Sequence, residues 1–426
     1  MNRRRFIELS ALGTTSAALA GCLGRQETEP SEENDTDESA GEEDDDNSDS
    51  DPEPEPEGGD GEPFYHYDLD VRDERENGQP VWIDHNERVY GRDDLSVVVS
   101  DDWWKTTEEL YTFEDEDGRV ENVVVPDSGE IIVAVGGQEY DDGGRVYRLT
   151  DDHTDHELLY QFDYGRVSNS LNHVTYEDIV LLACYELSDY EEGLHGNEVI
   201  LSTDGGKSFK KILEPEVNST EAANNHIHDV EWDPYAERIW VAMGDHGNSQ
   251  LFWSDDVGES WETVDERGAI TMVTQVAAFK DCVTLGSDGS PEGILRWERD
   301  GPDDVPEQAS DFERVHVQIK TDPDDDTMGM YARRRWHIRE NLEEGRELCL
   351  MPFGYSPMND TAEDSVLLAS VDGDEWYELH RTETREILLT NVMGPLSMDG
   401  ECRMLLSDSN QGEGYQIEGT VPQFWD

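Results

Sequence analysis

Lysine is nearly missing from this chain. Its 426 residues include only Lys105, Lys207, Lys210, Lys211, Lys280 and Lys320. Against 31 Lys and Arg stand 103 Asp and Glu, a formal net charge of −72. Phosphate neutralisation needs clustered Lys and Arg, so nucleic acid is excluded as a partner, as is an acidic membrane surface for the bare polypeptide. Long apolar runs are missing too. The apolar stretch Leu9 to Ala20 is too short to span a bilayer. Cysteine is scarce: apart from Cys22 there are Cys184, Cys282, Cys349 and Cys402. No CxxC pair occurs, so a zinc site has no support. The four later cysteines sit in apolar runs (LLACY, DCVTL, ELCLM, ECRML) and read as small buried hydrophobes. A disulfide between them would need Cα atoms within about 7 Å.

What is present divides the chain into three parts. Residues 1–22 begin with Arg3-Arg4-Arg5-Phe6-Ile7 and end in Leu19-Ala20-Gly21-Cys22. Paired arginines, an apolar stretch of small residues and a Leu-Ala-Gly-Cys end resemble a twin-arginine lipoprotein signal peptide. The resemblance implies export by the twin-arginine pathway and lipidation of Cys22. The membrane would then be reached through lipid on Cys22, at the extracellular face of the cell membrane, with two acyl chains needed for stable attachment. Residues 23–62 are mostly Glu, Asp, Ser, Gly and Pro, with no aromatic residue. Such a segment cannot bury enough apolar surface to fold, and it reads as a disordered acidic linker. Residues 63–426 are long enough for a large core.

The acidity belongs to the globular part as well. Residues 26–62 hold 19 of the 103 acidic residues and Glu8 one more, leaving 83; four arginines precede the domain, leaving 27 basic residues. Self-repulsion on this scale destabilises a compact state in dilute buffer. Molar salt shortens the Debye length to about 3 Å and removes most of it. The composition resembles that of haloarchaeal proteins.

The residues from His226 to Val264 form one complete unit of four short strands: His228–Trp232, Ile239–Gly244, Gln250–Ser254 and Trp261–Val264. Each is rich in Val, Ile, Trp or Phe and bounded by Gly, Asp, Asn or Pro. The turn before the last strand, Ser254-x-Asp256-x-Gly258-x-Ser260-Trp261, repeats Ser202-x-Asp204-x-Gly206-x-Ser208-Phe209. Asp caps the turn backbone, Gly permits a positive φ, and the aromatic packs back under the hairpin. Degraded copies stand at Ser100–Thr107, without the glycine and final aromatic, and at Ser370-Val371-Asp372 with Trp376, one residue short. Thr150-Asp151-Asp152 occupies an equivalent place without the motif. Asp102, Asp152, Asp204 and Asp256 recur at spacings of 50, 52 and 52. A period near 50 with four strands per unit signals a β-propeller.

The S-x-D-x-G-x-S-[FW] pattern resembles the Asp-box, or BNR repeat, of the sialidase-like β-propellers. The resemblance implies an all-β propeller in which these boxes are structural. Units fall at 81–114, 120–164, 169–214, 226–264, 272–317 and 334–380, with a last one from Asn391. Phe64–Val71 would supply that unit's missing strand and close a ring of seven blades; the alternative is six.

A ligand face in propellers is formed by inner-strand ends and the loops leaving second strands. These positions hold Asn172, His173, His226, His228, Asp229, Asp245, His246, Gln275, Asp288, Arg335, His337 and Asp408. The histidines are concentrated enough to converge on one channel. HxHD followed by GDH is compatible with a metal, with acid–base chemistry at a sugar, or with polar groups satisfying one another in a wet channel. No metal or cofactor is assigned. Arg333-Arg334-Arg335-Trp336-His337-Ile338-Arg339 would either hold an anion or pair with surface Asp and Glu. Neighbours on a strand point to opposite faces, so the run cannot aim every arginine at one carboxylate. Sialidases grip a carboxylate with three arginines, and the Arg-Ile-Pro type motif that supplies the first of them has no counterpart here. Asn34, Asn218 and Asn359 head N-glycosylation sequons. The expectation is a monomeric, lipid-anchored propeller that binds a glycan, polymer or protein. A glycoside hydrolase or lyase, and an assembly factor for a membrane complex, are the alternatives.

Overall fold

The computed structural model describes residues 70–425, apart from 74–77, 115–117, 137–142, 168–172, 190–193, 216–225, 245–248, 271, 288–292, 318–329, 356–364, 382–388, 401, 409–414 and 422–423. Residues 1–22, the linker, Cys22, the three sequon asparagines, Asn172, Asp245, His246 and Asp288 lie outside the described residues.

The protein is a seven-bladed β-propeller. Seven antiparallel sheets stand side by side, each with an inner, a second, a third and an outer strand. Blade 1 runs through Gln79–Ile83, Val89–Asp93, Ser96–Ser100 and Glu108–Thr112. Blade 2 runs through Arg119–Val124, Ile132–Gly136, Arg145–Leu149 and His156–Gln161. Blade 3 uses His173–Tyr176, Ile179–Ala183, Val199–Ser202 and Lys210–Leu213, with a two-stranded excursion, Glu186–Asp189 and Leu194–Gly196. Blade 4 is Ile227–Asp233, Arg238–Met243, Gln250–Ser254 and Glu262–Val264, within a residue or so of the sequence reading. Blade 5 is Val273–Ala278, Cys282–Ser287, Gly293–Glu298 and Glu313–Val317. Blade 6 has a broken inner strand, Met330–Ala332 and Trp336–Asn341, then Arg346–Tyr355, Val366–Ser370 and Tyr377–Arg381.

Blade 7 contains Leu389–Met393, Arg403–Asp408 and Tyr415–Thr420, and its outer strand comes from the other end of the chain. Asp70–Asp73 pairs antiparallel with Tyr415–Glu418. That is the expected closure, with the strand a few residues later than Phe64–Val71. The rest of that stretch lies outside the described residues. Pairing the two ends of the chain covers the edge that a three-stranded last blade would expose.

Blades hold together through apolar layers shared by neighbours. Trp240, Ala242 and Leu251 of blade 4 pack with Val276, Ala278 and Val283 of blade 5. Ile83, Val89 and Val98 of blade 1 meet Met393 and Leu405 of blade 7, sealing the ring. The inner strands of blades 2, 4 and 5 are covered on both faces, and all seven residues of Ile227–Asp233 are buried. The cysteines Cys184, Cys282, Cys349 and Cys402 are free thiols inside these layers.

The serine–aspartate turns also join blades. Asp256 accepts from Ser254 Oγ at 2.8 Å and from the backbone N–H and Oγ of Ser260 at 2.8 and 2.6 Å. Asp204 makes the same set with Ser202 and Ser208. The closing aromatic does more than pack under its own hairpin: Trp261 Nε1 donates to Ile212 O of the preceding blade at 2.9 Å. Gly258, at φ 83°, is needed for the same reason, since a Cβ there would lie 2.8 Å from Ile212 Cβ. The degraded copies retain the bonding. Asp102 accepts from Ser100 and Thr106, with Trp103 and Trp104 at φ 59° and 67° where glycine would be easier. Asp152 accepts from Thr150 and Thr154, so that turn carries the motif's chemistry without its spelling.

A chain begun at Gly78 lacks the closing strand. Its melting temperature should fall, and the uncovered Tyr415–Thr420 edge should drive self-association on size-exclusion chromatography. An unchanged melting temperature and a monomeric peak would contradict the closure.

Candidate functional site

The innermost strand of each blade has a sheet partner on one side only. Its other row of N–H and C=O groups faces the channel or the next blade, and buried backbone groups need partners. In this propeller, side chains of other blades supply them. Asp229 of blade 4 accepts from Val276 N–H of blade 5 at 2.7 Å, and Glu231 accepts from Ala278 N–H at 3.4 Å. Glu347 of blade 6 accepts from Lys280 N–H at 2.9 Å. On the donor side, Trp82 Nε1 reaches Val125 O at 3.0 Å, and Arg334 reaches Val81 O at 2.6 Å.

Two arginines of blade 6 complete the network. Arg335 pairs with both Asp229 and Glu231, and Arg339 pairs with Glu231. Arg335 also donates to Gln275 Oε1 at 3.2 Å, and Arg339 to Ala278 O at 2.9 Å. The carboxylates that meet this arginine run are therefore buried, and the expectation of surface partners is corrected. The reason is geometric. Ala332 is opposite Phe353 and Trp336 is opposite Leu350, so residues 333–335 bulge against two partners. Arg335, His337 and Arg339 then alternate on one side, while Arg334 goes to blade 1 and lies over the Trp82 ring at 5.2 Å.

Burial pushes the Asp229 carboxyl up to about 7, with Arg335 pulling only partly against it. Burial likewise pushes Glu347 up to about 7 against Arg339. Burial disfavours the charged Arg335, but Asp229 and Glu231 outweigh it and hold its pKa above the usual arginine value. His337 is driven well below the ordinary imidazole value by burial, then by Arg339 and Arg335. Arg339 donates to its Nδ1 at 2.9 Å, so the ring proton is on Nε2, which donates to Glu347 at 3.0 Å.

The network divides the channel. On the side of the hairpins that join inner to second strands lies a cavity of about 500 Å³. Its wall includes Trp82, Tyr176 and Trp336, the acidic residues Asp127, Glu177 and Glu231, and Arg335 and Arg339. The serine–aspartate turns join third to outer strands and therefore share this side. The sequence reading favoured the other mouth, where second strands hand over to third strands.

That other mouth holds His226 and His228. Their Nε2 atoms lie 2.9 Å apart, and His228 Nδ1 lies 2.8 Å from Val273 O. A carbonyl only accepts, so His228 carries its proton on Nδ1 and its Nε2 accepts from His226. Tyr185 packs edge-on to His226, with centroids 4.4 Å apart. His337 does not join this pair: it packs against Phe279 at 4.8 Å and bonds to Glu347. His173 opens the inner strand of blade 3, opposite Leu182 in the register. Asp408 ends the second strand of blade 7, opposite Leu389. No cluster of three or more His, Cys, Asp or Glu suited to a metal occurs among the described residues.

The sequence reading missed Glu231, Trp82, Tyr176 and Trp336. Glu231 stands two residues from Asp229 on the same strand, so strand alternation already placed both carboxyl groups on one face. It also missed Arg92, Arg119, Glu121 and Arg166, which form a cluster drawn from three blades, with no local signal to find it.

No family model matches the chain, and no curated protein matches it in sequence. Solved structures do. YCF48 bound to D1 peptide superposes with a TM-score of 0.51 at 10% identity, over 84% of this chain and 97% of that one. A GH74 xyloglucanase from Xanthomonas campestris gives 0.49 at 14% identity, over 81% of this chain and 52% of that one. Trypanosoma rangeli sialidase gives 0.43 at 10% identity, over 83% and 59%. At these identities the likeness defines the fold and nothing finer.

The raised Asp229 carboxyl makes stability depend on pH. Between about 4 and 7 the folded protein holds a proton that the unfolded chain releases, so stability falls as pH rises through that window. Glu347 acts with the same sign. In molar salt, Asp229→Asn should flatten about half of that slope, measured as the denaturant midpoint at pH 4.5 and 7.5. An unaltered slope would show that Asp229 is not titrating there.

Proposed function

We propose that the protein is exported, held at the outer face of the membrane by lipid on Cys22, and binds a saccharide unit of a surface glycan in its channel cavity without turning it over. The observation that carries this reading is the cavity itself. Its volume of about 500 Å³ lies in the range of small-ligand sites, and it is concave where a scaffold's docking face would be broad and flat. Tyr176 and Trp336 are half-buried in its wall beside charged groups of both signs, the mixture of flat apolar faces and hydrogen-bonding groups that a sugar ring requires. The Asp-box resemblance supports the same class of propeller.

Turnover is disfavoured by where the titratable groups lie. A general acid needs a raised pKa and reach to the substrate. The carboxyls raised to about 7, Asp229 and Glu347, are not in the cavity wall and are bonded to backbone and to Arg335 or His337. In the wall, Glu231 is held by two arginines, and Glu340 accepts from Ser397 and from Met398 N–H.

A peptide ligand is the second reading. YCF48, a match with a TM-score of 0.51, was solved with a bound peptide, and the exposed Asp127 and Glu177 at this cavity would suit a basic side chain.

Tryptophan fluorescence titration in about 2 M KCl, with neutral and acidic oligosaccharides and a lysine-rich peptide as probes, tests these readings. The expected result is saturable binding of one oligosaccharide class, weakened roughly tenfold, or about 1.4 kcal/mol, by Tyr176→Ala. Saturation by the peptide alone would favour the second reading. Release of new reducing ends would show a hydrolase, and Tyr176→Ala binding like wild type would move the site elsewhere.

A further inference from the structure

The mouth opposite the cavity carries a charged cluster in which, among the described residues, arginines outnumber carboxylates. Glu121, in the inner strand of blade 2, receives three guanidinium groups. Arg92 of blade 1 lies 2.9 Å away, Arg119 of its own strand 2.6 Å, and Arg166, at the entry to blade 3, 2.9 Å. The Glu121 side chain is 3% exposed, whereas Arg92, Arg119 and Arg166 are 12%, 24% and 23% exposed. The carboxylate is therefore the more deeply buried partner, and solvent reaches the arginine side chains, Arg119 and Arg166 most. The cluster is built, not accidental. Gln79 Oε1 accepts from Arg92 at 2.8 and 3.2 Å, and Val120 O accepts from it at 3.2 Å. Gly136 leaves the room for it, since a Cβ there would lie 2.9 Å from Glu121 Cγ and 3.3 Å from Arg166 Cδ.

A structural ion pair needs one arginine per carboxylate, and this domain has few cations to place. Arg166 has other contacts as well; among the described residues, Arg92 and Arg119 alone set two cations against the one Glu121 carboxylate. Buried like charges at this range repel one another. Burial, with Arg119 and Arg166 adding to it, holds Arg92 below the usual arginine value against the pull of Glu121.

We infer that this mouth binds a small tetrahedral oxyanion, sulfate or phosphate, free or as the ester end of a larger molecule. Guanidinium groups present paired N–H donors that match the oxygens of such an anion, and a dianion answers the excess positive charge. The site lies across the channel network from the cavity, shares no residue with it, and does not depend on the glycan reading.

Isothermal titration of the full chain at constant ionic strength, in about 2 M KCl, tests it, with inorganic sulfate, inorganic phosphate and glucose 6-sulfate as probes. Wild type should show one saturable site for sulfate or phosphate. Arg119→Gln should weaken it roughly tenfold or more. Tight binding of the ester but not of the free ions would assign the larger molecule as source. Glu121→Gln removes the resident charge, so sulfate should bind it several-fold tighter and raise its melting temperature more than it raises that of wild type. Unsaturable heats with every probe, or equal affinity in Arg119→Gln, overturn the inference. If Arg119→Gln does not fold, Glu121→Gln decides: a melting temperature no more responsive to sulfate than wild type's also overturns it.

Discussion

A ring of blades converges its inner strands on one channel, and each brings backbone groups that no sheet partner can satisfy. That constraint accounts for much of what is unusual here. Asp229, Glu231 and Glu347 are buried because each caps an N–H group of blade 5. Arg334 and Arg339 are buried partly because each caps a carbonyl oxygen, of blade 1 and blade 5. Having entered as caps, the charged groups must also neutralise one another, since an unpaired buried charge costs several kcal/mol. Arg335 pairs with two carboxyl groups of blade 4 from its place on blade 6, and so links blades that share no sheet bonds.

This inward use of arginine is more telling because the domain is so acidic. Surface carboxylates far outnumber cations, and in molar salt they need none. The pairs that matter are buried ones, where screening by salt is weak. The same network separates the two mouths of the channel. One is left with an aromatic-lined cavity, the other with imidazoles and an arginine cluster, and the two acquire their chemistry from opposite ends of the strands.

The architecture was legible in the chain because its signals are local. Each serine–aspartate turn is a few residues long, and its spacing sets the blade period. Even the copy at Thr150–Thr154, which spells the motif poorly, keeps its hydrogen bonds. Ring closure was legible too, because a three-stranded last blade demands a fourth strand. The site was less so. Arg335 meets Asp229 across 106 positions of sequence, and a bulge at 333–335 decides which arginines face it. Alternation predicts that Arg335, His337 and Arg339 share a face; it cannot say what lies opposite. The five-histidine convergence failed to include His337 for the same reason, as its partner Glu347 comes from the adjacent strand of its own blade.

Ion pairs inside the channel couple blade 6 to blade 4. A double-mutant cycle on Arg335→Met and Glu231→Gln measures that coupling directly, by denaturant unfolding in about 0.5 and 3 M KCl. The predicted coupling is about 2 kcal/mol or more and nearly the same at both salt concentrations, as for a buried pair. Additive effects, or a coupling that vanishes at the higher salt, would show that these blades are not held together by buried ion pairs.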